Sequence, residues 1–336
     1  MLGSFIWTIL TLQAPLAGTA PTTTSEIVRE ARAMGTEVRI TVQADTREHA
    51  LRLSESLLLE IERRDRLLST WAPKSPLSQL NRSVPGTLVP LPEEVIAFLS
   101  EARHWSERTG GSFDPAVGAL VDAWDQRGSG RVPTGQELAI ALENTGQSLL
   151  RVEGAHAVRE KEAVWIDTGA FGKGVGLRAI KEILEEELDA RVLVDLGGQL
   201  LVRSAGSLPR EVEVAHPSRR GESILTLTIA NGSIATSGTS ERWFENDGER
   251  YGHILDPRTG LPVAHWGSVT VVSEDPFEAD VLATALYVMG PDEALVWAER
   301  NTRAAVLVVH EREEGLDINW TSNMEVMLEK LKASRF

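Results

Sequence analysis

Cysteine is absent from all 336 residues of the chain. Its absence excludes disulfide bonds, zinc sites built from thiolates and thiol nucleophiles. A chain without cysteine is compatible with an oxidising compartment, although this feature alone does not identify one. Any chemistry performed by this protein therefore depends on oxygen and nitrogen side chains, or on a bound metal or cofactor.

Positive charge is also scarce, with 34 Lys and Arg residues against 49 Asp and Glu residues and a net charge of −15. Nucleic-acid backbones and anionic lipid surfaces repel such a chain, so nucleic acid is not expected as a partner. A polyphosphate ligand would need a local feature that overcomes this negative field. A bound cation is the simplest such feature.

Long apolar runs are absent as well, and no stretch is comfortably long enough to cross a membrane. The apolar run from Phe5 to Ala17 carries no charge and is followed by the small residues Gly18, Thr19 and Ala20. This pattern predicts a signal peptide over residues 1–20. The protein is then exported, and is periplasmic or faces the outside of the inner membrane. The alternative is a buried N-terminal strand or helix.

The remaining chain, residues 25–336, mixes helical and strand patterns without the strict alternation of a doubly wound sheet. We therefore predict an α+β fold, in one body or two intimate lobes. Helical spacing and capping signals predict helices over residues 45–68, from Pro92, from the capping box Thr134–Glu137, over Gly174–Leu188 and over Ala279–Met289. Short β-rich segments predict strands at Glu37–Val42, Ala163–Ile166, Val192–Leu196, Glu211–Ala215, Leu225–Ile229, Ser268–Val272 and Ala305–Val309.

Three glycines and a lysine join a predicted strand to a predicted helix between Ile166 and Gly174. Glycines let the backbone approach a ligand, and the first turn of the helix offers free N–H groups to an anion. Lys173 would add a point charge for phosphate. A tight turn with a solvated lysine explains the same residues, so this segment alone does not decide between the two.

Asp280 and Thr284 lie four residues apart on a predicted helix and therefore share one face. A carboxylate and a hydroxyl are hard oxygen donors, which suit magnesium because this ion takes few protein ligands and keeps phosphate and water for the rest. The alternative is a helix cap with a solvated threonine.

His253 follows a strand-like run and precedes a turn that contains Asp256 and Arg258. An imidazole near a carboxylate can serve as a general base near neutral pH, although a histidine that only stabilises a turn fits the same pattern. Two loops, Gly110–Asp114 and Ser69–Trp71, contain aromatic side chains that could stack on a planar heterocycle. Either aromatic could equally belong to the core.

Taken in order, these segments closely resemble those of the FAD:protein FMN transferases, the ApbE-type flavin transferases. The resemblance spans roughly residues 30–315. It rests on Met34-Gly35-Thr36, Ser69-Thr70-Trp71, Ser78-Gln79-Leu80-Asn81, Gly111-Ser112-Phe113-Asp114, Asp167 to Gly174, Gly197-Gly198, Ala235-Thr236-Ser237-Gly238, His253 to Gly260 and Ala279 to Thr284.

The resemblance implies a largely antiparallel, β-rich catalytic domain that binds FAD and Mg²⁺. Such an enzyme moves the FMN half of FAD onto a threonine hydroxyl of an acceptor protein and releases AMP. Positions that match the family's FAD contacts are Met34, Trp71, Ser112, Phe113, Asp114, Asp167, Lys173 and Ile254. Positions that match its metal ligands are Ala170 (through its carbonyl), Asp280 and Thr284, with Ala283 as an addition.

His253 is our candidate base for the incoming threonine, assisted by Asp256. Two other readings use the same residues, namely a magnesium-dependent FAD pyrophosphatase and a periplasmic FAD-binding protein without catalysis. The chain also departs from the family pattern at Phe171, Arg178 and Asp195. Of these, Phe171 is bulkier than the usual residue and is expected to alter the edge of the flavin pocket.

Overall fold

A single antiparallel sheet of eight strands forms the centre of the protein. The structure is a computed structural model and describes residues 24–239 and 242–328. The predicted signal peptide over residues 1–20 lies outside the described residues. Within those ranges no helix is both long enough and apolar enough to cross a membrane.

The strands are β1 (Ser25–Ala33), β2 (Thr36–Ala44), β3 (Val89–Pro90), β4 (Leu150–Glu153), β5 (His156–Arg159), β6 (Arg191–Leu196), β7 (Gln199–Arg203), β8 (Arg210–Ala215), β9 (Ser223–Ile229), β10 (Asn231–Gly238), β11 (Trp243–Asn246), β12 (Glu249–Gly252), β13 (Gly267–Ser273), β14 (Ala305–Arg312) and β15 (Gly315–Trp320). The helices are α1 (Arg47–Leu68), α2 (Pro76–Asn81), α3 (Glu93–Arg108), α4 (Gly118–Ala123), α5 (Gly135–Glu143), α6 (Gly172–Leu184), α7 (Pro276–Met289), α8 (Pro291–Asn301) and α9 (Ser322–Leu328).

The central sheet has the order β1-β2-β6-β7-β10-β13-β14-β15, and every neighbouring pair is antiparallel. Smaller sheets are formed by β3-β5-β4, β8-β9 and β11-β12. This arrangement confirms the predicted α+β class with a largely antiparallel sheet. Strands from both halves of the chain share the one sheet.

Both faces of the central sheet are covered, which gives a three-layer arrangement. Strand β14 shows this directly, because Val306 and Val308 join one apolar cluster while Leu307 and Val309 join another. Successive side chains of a strand point to opposite faces, so a continuous apolar run is required where both faces are buried. Helix α7 contributes to the first cluster, and the β8-β9 hairpin with α9 contributes to the second.

Helix α7 is buried along almost its whole length, and most of its side chains are apolar. Such a helix is surrounded by protein on all sides. It packs against α6, α8, β10 and β13. Asp275 caps its first turn by accepting a hydrogen bond from the backbone N–H of Phe277 at 3.0 Å. The polar residues Asp280 and Thr284 are therefore carried by one of the most enclosed elements of the fold.

Most of the predicted elements are confirmed, including the capping box of α5, in which Thr134 and Glu137 bond reciprocally. The predicted strand Ala163–Ile166 is wrong. Both backbone groups of Ile166 bond the side-chain amide of Asn81, at 2.8 and 3.0 Å, instead of a neighbouring strand. The bounds of the predicted helix Gly174–Leu188 also differ, because α6 covers Gly172–Leu184.

Phe171 does not reach the edge of any open pocket, so the expectation for this residue is wrong. Its side chain is fully buried and lies among Phe98, Phe113 and Phe277, with ring centroids 6.0 to 6.2 Å away. Arg178, the second departure, bonds Glu101 of α3 and the cap residue Asp275 of α7. Both departures therefore strengthen the packing around α6.

We expect Phe171→Ala to lower the free energy of unfolding by about 3–5 kcal/mol, since truncation of a buried aromatic leaves a cavity. Phe171→Leu, which keeps most of the apolar volume, should cost about 1.5 kcal/mol or less. Chemical denaturation of both variants measures these values. Equal, small losses for the two substitutions would contradict the buried position.

Candidate functional site

The carboxylate of Asp280 lies at the N-terminus of helix α6. Its Oδ2 accepts a hydrogen bond from the backbone N–H of Gly174 at 2.8 Å, and its Oδ1 lies 3.1 Å from Nζ of Lys173. The first N–H groups of a helix have no partner within the helix, and a negative charge there is favourable. Asp280 thus caps α6 from a neighbouring helix, and the sequence segments predicted separately for Lys173 and Asp280 meet in space.

Gly174 makes this approach possible. A Cβ atom at this position would lie 2.8 Å from both the Cα atom of Phe277 and the carbonyl oxygen of Pro276. Real Cβ atoms do not come so close to backbone, so any other residue would force α6 away from α7. Gly174, one of the glycines predicted to let a ligand approach the backbone, lets helix α7 approach it.

The predicted metal-ligand positions are grouped around this contact. Thr284 follows Asp280 by one helical turn and is half-buried, while Ala283 is buried. Ala170 lies two residues before α6 and is half-buried. The described part of the chain contains no group of three or more His, Asp or Glu residues that could hold a metal ion. A cation at Asp280 would have to take most of its ligands from a bound molecule and water.

Met34 reaches the same helix from the turn between β1 and β2. Met34 and Gly35 both have positive φ, 54° and 75°, as a two-residue hairpin turn requires. The Met34 sulfur lies 2.9 Å from the point where a Cβ of Gly176 would stand, and its methyl carbon lies 3.7 Å from that of Gly172. The predicted contact residue Met34 therefore lies against the glycine-rich first turns of α6.

His253 follows β12, and its Nδ1 lies 3.2 Å from the carbonyl oxygen of Arg242. Because a carbonyl oxygen only accepts hydrogen bonds, Nδ1 carries the proton and Nε2 is left with its lone pair. Burial is the main reason that the pKa of His253 is lowered to about 4; the nearby charges of Arg242 and Lys173 act in the same direction, and the hydrogen bond to the Arg242 carbonyl opposes the fall. The imidazole is therefore neutral at physiological pH, as a general base requires.

The carboxylate of Asp256 is bonded to Arg258 in this structure. Its two carboxylate oxygens accept hydrogen bonds from Arg258 at 2.9 and 3.0 Å, and its backbone closes the turn with Gly260 and Leu261. Within residues 24–239 and 242–328 no hydrogen bond joins Asp256 to His253. Residues three apart in a tight turn can point in different directions, so the expected assistance of His253 by Asp256 stays a prediction.

Ile254, Ser112 and Phe113 have buried side chains. Phe113 packs edge-to-face on Phe171 with the ring centroids 6.2 Å apart, so its ring belongs to the core and is not free to stack on a ligand. A bound molecule could touch these residues only through their backbone or after a rearrangement. The Oγ of Ser112 is buried without a hydrogen-bond partner among the described residues.

Asp114 is buried and organises its own loop. Its carboxylate accepts hydrogen bonds from the Ser106 hydroxyl at 3.0 Å and from the backbone N–H groups of Ala116 and Gln147 at 2.8 and 2.9 Å. Burial raises the pKa of Asp114, and these three bonds oppose the rise. Its predicted role as an FAD contact would require one of these bonds to be shared.

Trp71 and Asp167, predicted from different segments, are brought together by two residues that sequence reasoning missed. Arg127 lies over the ring of Trp71 and donates a hydrogen bond to Oδ2 of Asp167 at 2.5 Å. Trp165 lies on the other side of the Arg127 guanidinium. The one sequence signal was Trp165, two residues before Asp167. Nothing in the sequence indicated that Arg127 would lie over its ring.

The low pKa of His253 predicts a pH-dependent stability. An unfolded chain binds a proton at this imidazole below about its ordinary pKa of 6.5, whereas the folded chain resists protonation down to about 4. Stability is therefore full above pH 6.5 and falls as the pH drops toward 4. Denaturant midpoints of wild type and His253→Gln, compared at about pH 7.5 and about pH 5, should show a smaller acid loss in the variant. An equal loss in both would contradict this assignment.

Comparisons with known proteins agree with this architecture. The family model described as the ApbE family matches residues 34–308. The FAD:protein FMN transferase of Salmonella typhimurium is 30% identical over 297 residues, which cover 85% of each chain. The crystal structure of an ApbE protein from Thermotoga maritima has a TM-score of 0.83 and 31% identity, covering 90% of this chain and 99% of that one. The flavin transferase ApbE from Vibrio cholerae has a TM-score of 0.80 and 26% identity, covering 91% and 100%. The chain belongs to the ApbE family.

Proposed function

We propose that this protein is a magnesium-dependent FAD:protein FMN transferase, which moves the FMN half of FAD onto a threonine hydroxyl of an acceptor protein and releases AMP. The observation that carries the proposal is the buried Asp280 carboxylate at the N-terminus of α6, with Lys173 beside it and Thr284 one turn further along α7. The names of the relatives, which are FAD:protein FMN transferases and flavin transferases, support the same reaction.

The donor set fits magnesium. Asp280 and Thr284 would hold the ion together with the carbonyl of Ala170, and all three provide the hard oxygen ligands that Mg²⁺ prefers. An ion held there would supply positive charge that stabilises the negative charge developing on the AMP leaving group. Because only one of these ligands is a carboxylate, the site leaves room for phosphate oxygens and water.

The chain's own residues supply positive potential against the negative background of the protein. The free N–H groups at the start of α6 and the ammonium of Lys173 favour an anion at this point. Lys173 is paired with Asp280 at 3.1 Å in the structure. With a cation held by Asp280, the Lys173 ammonium would be available to contact a phosphate oxygen.

His253 is the residue that would accept the proton of the acceptor threonine. Its Nε2 carries the lone pair, and the imidazole is neutral near pH 7 because its pKa is about 4. Such a pKa makes it a weak base, so it acts by positioning the hydroxyl and receiving the proton as the P–O bond forms. Phosphoryl transfer of this kind depends mainly on positioning and electrostatics, and no covalent enzyme group is needed.

We further propose that the protein is exported and meets an exported or membrane-associated acceptor outside the cytoplasm. The apolar run from Phe5 to Ala17 supports export, and the lack of cysteine is compatible with an oxidising compartment. Residues 1–20 contain no charged side chain, so their removal would leave the net charge at −15.

We expect Asp280→Ala and Asp280→Asn to abolish magnesium-dependent transfer, a loss of about 10²-fold or more, because both remove the only charged ligand. Asp280→Asn keeps the side-chain shape and an oxygen for the N–H of Gly174, so its loss of activity would not reflect the loss of the α6 cap. The measurement is in-gel flavin fluorescence of an acceptor domain incubated with FAD and Mg²⁺.

Asp292→Ala, at an exposed position in the first turn of α8, is the matched control and should keep full activity. Full activity of Asp280→Asn would overturn the assignment of Asp280. Free FMN without labelled acceptor would instead identify a pyrophosphatase, and FAD binding without turnover would identify a binding protein.

A further inference from the structure

Three flat side chains from three separate segments form a column beside the proposed site. The guanidinium carbon of Arg127 lies 4.2 Å from the ring centroid of Trp165 and 4.6 Å from that of Trp71. A guanidinium stacked on an indole face is attracted by the ring quadrupole, and the attraction grows when water is excluded from between them. Arg127 therefore fills the space between two tryptophans.

Trp165 forms one end of the column and is held in place by a hydrogen bond and by close packing. Nε1 of Trp165 donates a hydrogen bond to Oδ2 of Asp122 at 2.8 Å. The same ring lies against Gly118, where a Cβ atom would stand 2.1 Å from the indole. Any residue other than glycine at this point of α4 would displace Trp165. The chain therefore leaves a space shaped for this indole.

Arg127 is also held by hydrogen bonds in its own plane. It donates to Oδ2 of Asp167 at 2.5 Å and to the hydroxyl of Thr70 at 2.9 Å. The other oxygen of Asp167 accepts from the backbone N–H of Gly169 at 2.7 Å. Arg127 thus links the loop that carries Trp71 to the loop that leads into α6. This link fixes the distance between two residues predicted to contact FAD.

Trp71 forms the other end of the column and is open to solvent. Trp71 is 67% exposed, although one face of its ring is covered by Arg127. An exposed aromatic ring that is held in place offers a flat surface on which another flat ring can stack with little loss of entropy. The column ends where one further ring would extend it.

We propose that Arg127 is a positioning residue of the dinucleotide site, which holds Trp71 as a stacking surface for one heteroaromatic ring of FAD. The inference rests on the proposed function, since it takes FAD as the molecule bound. Arg127 acts through Trp71 and does not itself touch the ring. Adenine and isoalloxazine share the required chemistry, because both are flat heteroaromatic rings with a π-face that can stack on an indole.

The test measures dissociation constants of FAD, ADP and FMN for wild type, Arg127→Ala, Trp71→Ala and the double variant, by fluorescence titration. Arg127→Ala should weaken FAD binding about fivefold, the effect of losing a cation–π contact at a largely exposed site. The maximal rate at saturating FAD should stay the same, because the groups around Asp280 are untouched. If the variants bind ADP more weakly but FMN equally well, the adenine ring stacks on Trp71. If they bind FMN more weakly but ADP equally well, the isoalloxazine ring stacks there.

The double variant separates positioning from a general structural effect. If Arg127 acts through Trp71, removal of both side chains should weaken FAD binding no more than Trp71→Ala alone. Arg127→Lys keeps the charge but loses the planar stack, so it should recover only part of the affinity. Arg108→Ala is the matched control, since Arg108 lies 4.4 Å over Trp105 in a similar contact on α3.

Unchanged or tighter FAD binding by Arg127→Ala would overturn the proposal, and tighter binding would show that Arg127 competes with the ring. Additive losses in the double variant would also overturn it. These results are distinguishable from failure of the proposed function, in which wild type itself would neither bind FAD nor label an acceptor.

Discussion

The contact between Asp280 and the first turn of α6 is the constraint on which the rest of the site depends. It joins two helices that the chain reaches more than 100 residues apart, and it places a carboxylate, an ammonium and free backbone N–H groups within one small region. Gly174 permits the approach, and Arg178 holds the same pair of helices by bonding the cap residue of α7. Lys173, which is predicted to bind phosphate, and the packing residues Gly174 and Arg178 lie close together on α6. A change to one of them therefore affects the others.

The electrostatics of this region solve the problem posed by the acidic composition. A protein with a net charge of −15 repels a dinucleotide at long range, yet the screening of exposed charges makes the local arrangement decisive. The α6 N-terminus, Lys173 and the proposed cation together present positive potential at this point. The half-buried imidazole of His253 stays neutral, because partial burial and the charges of Arg242 and Lys173 disfavour its protonation. Proton acceptance and anion binding can therefore coexist at the same pH.

The α+β class and most of the elements could be predicted from the sequence, because local signals and burial agree in them. The capping box at Thr134 and the apolar run of β14 are examples, where hydrogen bonding and two-sided burial leave one solution. The segment Ala163–Ile166 misled the prediction since its backbone bonds Asn81, a residue 85 positions away. No local sequence pattern indicates a hydrogen-bond partner so far away along the chain.

The site residues were predictable as positions but not as orientations. Phe113 and Trp71 both follow polar loop residues, yet one ring is buried and the other is 67% exposed. Asp256 lies beside His253 in the chain, yet its carboxylate turns to Arg258. Arg127 was missed because its role exists only where three loops meet. Within a helix or strand, residue spacing predicts the direction in which each side chain points. In the loops that build most of this site, spacing does not predict it.

The enclosure of α7 has a consequence for how the site is lost. Because this helix is buried along almost its whole length and contacts the sheet and two helices, it cannot open without exposing the main apolar cluster. Its amide hydrogens should then exchange with solvent only when the whole domain unfolds. The groups around Asp280 therefore share the lifetime of the folded protein, and no smaller opening of the structure can separate the carboxylate from the first turn of α6.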